Sequence, residues 1–263
     1  MLPADLEERL SRLEALERRF AAELEASKLD ALAEFAAGAG HEMNNPLAVI
    51  TGRVQLILRD ETDPERRRDL VLMHAQAMRV HEMIADLMLF ARPPAPRPVE
   101  FDLARLVVEV VSELRAKPGA RQTRLTATGT DRPLSIVADP TQLKVALMAL
   151  GSNALEAIAG QPARTEGGNV RFALRAVYRA GCDGANVPHA ARIAVRDNGP
   201  GIAPTARKHL FDPFFSGRGA GRGLGLGLSK CWRIVTQHGG EVRVGQGGAP
   251  GAEFIVTLPL ASP

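Results

Sequence analysis

The amino-acid sequence contains one histidine whose surroundings suit nucleophilic chemistry. His41 lies within the run Gly38-Ala39-Gly40-His41-Glu42-Met43-Asn44-Asn45-Pro46-Leu47. If this run is helical, His41 and Asn45 share a face because they are four residues apart, and Glu42 can reach the neighbouring imidazole. A carboxylate that holds the proton on Nδ1 leaves the lone pair of Nε2 available for attack. For a histidine considered by itself, a structural role on the surface is the alternative.

The same run carries a local cost to helix stability. Gly38 and Gly40 each destabilise a helix interior by about 1 kcal/mol relative to alanine. Pro46 has no N–H and clashes with the carbonyl of Glu42, so it predicts a bend beside His41. The complete string is more specific than any of its residues, and we interpret it as functional.

A glycine-rich run in the C-terminal half suits the binding of phosphate groups. Residues 219–230 read Gly-Ala-Gly-Arg-Gly-Leu-Gly-Leu-Gly-Leu-Ser-Lys and lead into a predicted apolar helix over residues 231–238. Glycines let backbone N–H groups approach phosphate oxygens, and a helix N-terminus adds a partial positive charge. The run is not a P-loop, because no Gly-Lys-Ser/Thr follows at the required spacing. We predict that it cradles phosphate.

Three other features admit both a functional and a structural interpretation. The run Asp197-Asn198-Gly199-Pro200-Gly201-Ile202 follows a predicted strand over residues 193–195 and, taken alone, is an ordinary turn. Residues 210–216 contain three of the nine phenylalanines, which can anchor a lid on the core. Asn153 lies in a predicted helix over residues 140–158, where asparagine is unfavourable. Its side chain therefore either binds a ligand, or caps the backbone or contacts solvent.

A long N-terminal helix must position the histidine run. Between residues 4 and 59 helix breakers are few, and Gly38, Gly40 and Pro46 are among them. Apolar residues spaced by three and four form a short heptad seam ahead of them: Leu6, Leu10, Leu13, Phe20 and Leu24. This spacing is typical of a coiled coil. A dimerisation helix explains the seam without any chemistry.

A second helix is predicted after Thr62-Asp63-Pro64-Glu65, where Thr62 or Asp63 can cap its N-terminus. Its apolar residues keep helical spacing from Leu70 to Phe90, so the two helices can pair as an antiparallel hairpin. Such a hairpin has too little core to be stable alone, and two chains can bury both apolar faces in a four-helix bundle. The sequence therefore predicts a homodimer.

A proline-rich segment marks the domain boundary. Residues 92–98 contain four of the 18 prolines and predict a stiff, extended connector. Beyond it, helices are predicted over residues 102–116, 140–158 and 231–238, and strands over residues 123–128, 135–138, 170–178, 192–196, 241–244 and 253–258. This order predicts an α+β sandwich with helices on one face of a mixed sheet. The loop with Gly181 and Gly184 has no assignment.

The predicted divisions are a coiled-coil helix over residues 1–29, a helical hairpin domain over residues 30–92, a linker over residues 93–100 and the sandwich over residues 101–263. No apolar run approaches the roughly 20 residues of a membrane span. With only two cysteines, Cys182 and Cys231, a reducing compartment is the default, and we predict a cytoplasmic protein.

The charge balance disfavours nucleic acid as a partner. Lys and Arg outnumber Asp and Glu by 33 to 30, which gives a net charge of +3 with the charges interspersed. The longest basic cluster, Arg66-Arg67-Arg68, is flanked by Glu65 and Asp69 and is typical of a solvated helix face. The sequence therefore argues against a protein that coats polyanions.

The order of the motifs resembles that of bacterial sensor histidine kinases. A His-Glu-x-x-Asn-Pro string is followed by an asparagine helix, Asp-x-Gly-x-Gly, a phenylalanine box and Gly-x-Gly-Leu-Gly-Leu. The resemblance covers about residues 30–260. It implies a dimerisation and histidine-phosphotransfer domain that forms a dimeric four-helix bundle, followed by an α/β sandwich of the GHKL superfamily that binds ATP. The histidine string is similar to that of the nitrogen-regulation subgroup.

The resemblance also implies roles for individual residues. In the helical domain, His41 accepts the phosphoryl group, Glu42 is the neighbouring base and Asn45 helps to orient water during dephosphorylation of the partner. In the sandwich, Asn153 corresponds to a ligand of Mg²⁺ and Asp197 to the residue that reads adenine. The other positions implied in nucleotide binding are Gly199, Gly201, Phe214, Phe215, Arg218, Gly221, Gly223, Leu224 and Gly225. The implied cofactors are ATP and Mg²⁺.

Two positions depart from the pattern of the family. Ala149 stands where many relatives have a first asparagine, and Glu156 stands where many have lysine. The second departure removes a cation near the phosphates, which Arg218, Arg222 or Lys230 could replace.

The implied activity is autophosphorylation, in which the ATP domain swings on the proline connector towards His41, and then transfer to an aspartate of a separate response regulator. The alternatives are a pseudokinase scaffold that binds nucleotide without transfer, and a GHKL ATPase. The ATPase would need a catalytic glutamate where Ala149 stands. The input is expected through the coiled coil from an upstream sensor protein, or from a sensor region lost by truncation.

Overall fold

The chain divides into two units, Met1–Pro94 and Ala95–Pro263. The computed structural model describes residues 4–161, 167–180, 186–215, 224–245 and 251–260. The first unit is a helical hairpin, and the second combines helices with a mixed β-sheet. Both predicted architectures are therefore confirmed. Within the described ranges, no helix has an apolar stretch long enough to cross a bilayer.

The hairpin consists of helix α1, Ala4–Asp60, and helix α2, Pro64–Ala91. The Oδ1 atom of Asp63 accepts hydrogen bonds from the backbone N–H groups of Glu65 at 2.9 Å and Arg66 at 3.0 Å. Asp63 is thus one of the two predicted capping residues, and Pro64 opens the first turn as expected. Helix α1 remains helical on both sides of Pro46.

The two helices approach each other closely beside the histidine run. A Cβ atom added to Gly40 would lie 3.0 Å from Sδ of Met88 and 3.2 Å from Cγ2 of Ile84. The destabilising glycine therefore serves packing at this point. A single hairpin leaves many apolar side chains exposed, among them Met43, Val49, Ile50, Leu56, Ile57, Val71, Leu72, Met73 and Met78.

The second unit is built on a five-stranded sheet in the order β2-β4-β5-β7-β6. Its strands are β2 (Thr123–Thr128), β4 (Gly168–Ala180), β5 (Asn186–Asp197), β6 (Glu241–Val244) and β7 (Glu253–Pro259). Strands β2 and β4 are parallel, and the other pairs are antiparallel. A separate antiparallel pair joins β1 (Val99–Asp102) to β3 (Ser135–Ala138).

Helices α3 (Leu103–Ala116), α4 (Pro140–Ala159) and α5 (Gly227–Gln237) cover one face of the sheet. Strand residues that alternate in sequence point into this core, as Val170, Phe172 and Leu174 do in β4. The helices contribute large buried side chains that include Leu103, Val107, Leu114, Leu143, Leu147, Leu150 and Ile234. One-sided burial explains the alternating pattern of the strands.

The main differences from the predictions concern β1, β5 and α5, and other boundaries move by one or two residues. Strand β1 takes up residues 99 and 100, which we predicted as linker, because it pairs with β3 and brings Phe101 opposite Ile136. Strand β5 begins at Asn186 rather than residue 192, since it pairs with β4 along almost its whole length. Helix α5 begins at Gly227, so the end of the glycine run is already helical. The predicted loop with Gly181 and Gly184 lies outside the described residues.

Asp139 joins three segments of the second unit. Its Oδ1 atom caps α4 by accepting the N–H groups of Thr141 and Gln142, and its Oδ2 atom accepts the N–H of Arg97 at 2.9 Å. Its own N–H donates to Nε2 of His238 at the end of α5. Burial by itself raises the pKa of Asp139, but the three backbone donors and His238 outweigh it and lower that pKa below its usual value.

Candidate functional site

The histidine string lies on an uninterrupted part of α1. The backbone of His41 is helical, and its side chain lies outside the described residues. The side chains of Glu42 and Asn45 are exposed, as expected of groups that meet a substrate. Their presentation on a helix agrees with the predicted arrangement.

The two adjacent asparagines of the string have different environments. Asn44 is half-buried, and its Oδ1 atom lies 2.8 Å from Nδ1 of His81 on α2. Asn45 is exposed. His81 was not predicted to contact the histidine string. The sequence shows only a polar residue among the apolar positions of α2. The structure thus separates an asparagine that joins the two helices from one that faces outwards.

A buried carboxylate ends strand β5 at the first glycine motif. Asp197 is 4% exposed, and its Oδ1 atom accepts the N–H of Gly199 at 2.7 Å and that of Ala252 at 3.3 Å. The backbone N–H of Asp197 donates to the carbonyl of Ala252 at 3.0 Å. These bonds fix the orientation of the carboxylate. Asn198 adds a hydrogen bond from the N–H of Asn169 to its Oδ1 atom at 2.8 Å.

A glycine that the sequence analysis missed packs directly behind this carboxylate. Gly251 has a φ of 115°, and a Cβ atom there would lie 1.9 Å from the carbonyl oxygen of Asp197. Only glycine fits such a contact. A signal was present in the glycine-rich run Gly247-Gly248-Ala249-Pro250-Gly251, but the sequence does not show that Gly251 meets Asp197.

Helix α4 brings Asn153 towards the same turn. A Cβ atom added to Gly199 would meet Cβ of Ala157 at 3.3 Å, so α4 and the turn after β5 are in close contact. Asn153 lies one helical turn before Ala157 and shares its face. The side chain of Asn153 is half-buried, and Glu156 is exposed. Two residues predicted from separate motifs therefore lie at one edge of the sheet.

The phenylalanine box meets the end of the glycine-rich run. Gly225 has a φ of 70°, and a Cβ atom there would lie 2.6 Å from the carbonyl oxygen of Phe215 and 2.8 Å from the carbonyl carbon of Phe214. Phe214 is 51% exposed and has a φ of 63°. The ring of Phe215 lies 5.8 Å from that of His209, centroid to centroid. Phe214 and Phe215 thus lie against the described end of the glycine-rich run at Gly225.

Part of the predicted phosphate loop lies outside the described residues, namely Arg218, Gly221, Arg222 and Gly223. Leu224 is half-buried, and the N-terminus of α5 has no side-chain cap at Leu226. Lys230, a candidate replacement for the missing cation, is only 8% exposed in the first turn of α5. Its burial does not favour the predicted role at the phosphates.

Cys231 does not suit nucleophilic chemistry. Burial raises the pKa of the Cys231 thiol to about 12, so Cys231 is a core residue. Within the described ranges, no three His, Cys, Asp or Glu side chains cluster closely enough to hold a metal ion.

Two protein families match the chain in the order of its two units. Residues 31–96 match the His Kinase A (phospho-acceptor) domain. Residues 138–262 match the family described as histidine kinase-, DNA gyrase B-, and HSP90-like ATPase. His41 falls in the first match, and Asn153 and Asp197 fall in the second.

Several curated relatives are histidine kinases. The sensory histidine kinase/phosphatase NtrB of Escherichia coli O157:H7 is 31% identical over 264 residues, which is 99% of this chain and 69% of NtrB. The histidine-protein kinase AtoS of E. coli K12 is 31% identical over 238 residues, which is 90% of this chain and 36% of AtoS. The chain spans less than half the length of AtoS and of sporulation kinase D from Bacillus subtilis.

Solved structures share both units. Full-length ShkA in complex with AMPPNP is 25% identical with a TM-score of 0.69, over 88% of this chain and 46% of ShkA. ThkA in complex with the response regulator protein TrrA shows the same fold, with a TM-score of 0.61 at 23% identity over 92% of this chain and 66% of ThkA. Together with the matches to both domain families and to NtrB, these findings show that the chain belongs to the sensor histidine kinases of two-component signalling.

Proposed function

We propose that this chain is an ATP-dependent autokinase that phosphorylates its own His41 and then transfers the phosphoryl group to an aspartate of a response regulator. The observation that carries the proposal is the presence of both domain families in one chain, each with its chemistry-bearing residues at the matching positions. A second family member, NtrB, is named for both kinase and phosphatase activity. We extend both activities to this chain.

The nucleotide is proposed to bind at the edge of the sheet where the turn after β5 meets α4. Asp197 would accept a hydrogen bond from the amino group of adenine. The N–H groups of Gly199 and Ala252 donate to the same carboxylate and orient it for that contact. Gly199 and Gly201 place no side chain at two positions of the turn. Phe214 and Phe215 of the phenylalanine box and Leu224 of the glycine-rich run would flank the nucleotide.

The phosphate groups would be held by the N-terminal side of α5 together with the glycine run. Gly221, Gly223 and Gly225 supply backbone N–H donors in the proposal, and Arg218 supplies a cation. Mg²⁺ is usually bound through one or two protein oxygens, phosphates and waters, so it needs no cluster of carboxylates. The half-buried amide of Asn153 fits this requirement. When bound, the ion would neutralise charge on the phosphates.

The proposed transfer asks little covalent chemistry of the protein. The Nε2 lone pair of His41 forms a bond to the γ-phosphorus while the bond from that phosphorus to the bridging oxygen breaks, and ADP leaves. Glu42 holds the Nδ1 proton and stabilises the positive charge that develops on the ring. In the second step the N–P bond breaks as an aspartate oxygen of the regulator attacks. His41 and the nucleotide lie in different units, so the proline connector must allow them to meet.

The active form is proposed to be a homodimer. The apolar side chains that one hairpin leaves exposed on both helices would be buried in a four-helix bundle of two chains. Residues 1–29 would extend the dimer as a coiled coil and receive input from a sensor protein or region. Residues 30–92 would form the phosphotransfer domain, and residues 101–263 would form the ATP domain. The reduced, buried Cys231 and the use of ATP favour a cytoplasmic location.

The proposal is tested by incubating the full chain with Mg²⁺ and ATP labelled at the γ-phosphate. We expect label on the protein that is lost in acid and retained in base, as for a phosphorus–nitrogen bond to histidine. A scaffold that binds nucleotide without transfer predicts ATP binding with no label. Label that survives acid would place the phosphate on a hydroxyl and contradict the proposal.

A further inference from the structure

The face of the five-stranded sheet that carries no helices is rich in arginine. In strand β4, Val170, Phe172 and Leu174 are buried against the helices, whereas Arg171 and Arg175 point the other way and are exposed. The same alternation continues in the neighbouring strands. Before the bulge at Val177 and Tyr178, the outward residues with charged side chains are Arg124, Arg171, Arg175, Arg192, Arg196, Glu241, Arg243 and Glu253.

The register places arginines directly opposite each other. Arg171 of β4 faces Arg196 of β5, and Arg175 faces Arg192. Arg124 of β2 lies opposite Asn169, which is two residues before Arg171 and on the same face of β4. Like charges at directly opposed positions of a sheet destabilise it. The fold therefore accepts a local electrostatic cost that an external anion would relieve.

Among the described residues of this face, the carboxylates lie on the side of β6 and β7. Glu253 on β7 lies directly opposite Arg196, and Glu241 forms an ion pair with Arg243 on β6. In the part of the chain that the structure describes, Nε of Arg192 is buried without a hydrogen-bond partner. Within the same described ranges, four arginines of β2, β4 and β5 form no ion pair, and we name them the arginine face: Arg124, Arg171, Arg175 and Arg192.

We propose that the arginine face docks the ATP-binding unit on an anionic phospholipid surface. Guanidinium groups bind phosphates through paired hydrogen bonds, and each basic residue near an anionic bilayer strengthens binding. The four arginines stand on three adjacent strands about 4.8 Å apart, so their charges form one patch that can contact several lipid headgroups at once.

Nucleic acid fits the same face less well. Sheet surfaces that bind single strands stack bases on aromatic side chains. Up to the bulge at Val177 and Tyr178, the described outward residues of the five strands are Thr, Asn, Ala, Arg, Glu and Ile, and none of these is aromatic. A duplex is read by a helix or a two-stranded ribbon that enters a groove, whereas these arginines lie on the face of a five-stranded sheet. A patch of positive charge without stacking groups favours a lipid surface.

The test is sedimentation of the full chain with vesicles of phosphatidylcholine alone and of phosphatidylcholine mixed with an equal part of phosphatidylglycerol. We expect binding only to the anionic vesicles, weakened by salt. The double variant Arg171→Thr with Arg175→Thr should bind roughly 30-fold more weakly, since each arginine contributes about a factor of five at such a surface. The matched control, Arg121→Thr with Arg132→Thr, removes the same charge from two exposed positions elsewhere and should bind as the wild type does.

Two companion measurements make the result specific. The double variant should keep its autokinase rate and should not have a lower Tm, because the substitutions remove repulsion between opposed arginines. Equal weakening by the control pair would reduce the effect to net charge and overturn the proposal. Equal binding to neutral vesicles, or a stronger arginine-dependent binding to a single-stranded oligonucleotide or an acidic protein, would also overturn it.

Discussion

At the scale of single residues, Asn44 and Asn45 divide two tasks between adjacent amides. Asn44 bonds to His81 across the hairpin, whereas Asn45 is exposed one helical turn after His41. An exposed amide can orient a water molecule but cannot accept its proton at neutral pH. Asn45 is therefore suited to dephosphorylation of the regulator rather than to autophosphorylation.

We predict that Asn45→Ala leaves the autokinase rate within a few-fold of the wild type. The ADP-stimulated dephosphorylation of the cognate regulator should slow by one to two orders of magnitude, a barrier of about 1.4 to 2.7 kcal/mol. Asn44→Ala is the matched control, since it removes the bond to His81 and should lower the free energy of unfolding by about 1 kcal/mol. Parallel loss of both activities in Asn45→Ala would mean that Asn45 only supports the helix.

Asp197→Asn is predicted to weaken ATP binding about tenfold or more. The amide can still accept the N–H groups of Gly199 and Ala252, so the turn should keep its fold. It loses the negative charge that strengthens a hydrogen bond from the adenine amino group, which is worth about 1.5 to 3 kcal/mol. Titration calorimetry with ATP measures the change. A wild type that bound GTP as tightly as ATP would refute the adenine contact.

At the scale of elements, Asp139 shows how one side chain sets the position of the helix that carries Asn153. It caps α4 and also holds the start of the second unit through Arg97 and the end of α5 through His238. We predict that Asp139→Ala lowers the free energy of unfolding of the second unit by about 2 kcal/mol. Chemical denaturation of the exposed-loop variant Asp131→Ala is the control and should show little change.

The contribution of Asp139 should also depend on pH. Because its folded-state pKa is lowered, the carboxylate stabilises the fold above its unfolded-state pKa of about 3.8, and this stabilisation is lost as pH falls through the folded value. The difference in unfolding free energy between the wild type and Asp139→Asn should therefore be constant near neutral pH and shrink below about pH 4. A difference that grew in acid would contradict the lowered pKa.

At the scale of the whole molecule, the sequence predicts elements well where local signals coincide. The cap at Asp63 and the adjoining Pro64 give the start of α2, and the alternating pattern of β4 and β7 follows from a sheet that is covered on one side. The structure also brings the turn after Asp197 against Ala157 of α4, one helical turn after Asn153. That Asn153 and Asp197 share a nucleotide site stays a prediction.

Features that depend on contacts between distant residues are not predictable in this way. Strand β1 is four residues long after a run of prolines, and only its pairing with β3 makes it a strand. Residue 251 must be glycine because the carbonyl oxygen of Asp197, at the end of β5, lies against it. His81 meets Asn44 only when the hairpin forms. Sequence spacing carries no information on such partners.

The most direct test of the account is label transfer from ATP to the variant His41→Gln. Glutamine keeps the helix and has no nucleophilic ring nitrogen, and the nucleotide site lies in the other unit. We predict that the variant takes up no phosphoryl group from ATP labelled at the γ-phosphate and still binds ATP with the affinity of the wild type. Acid-labile label retained on His41→Gln would contradict the assignment of the phosphoacceptor and with it the proposed function.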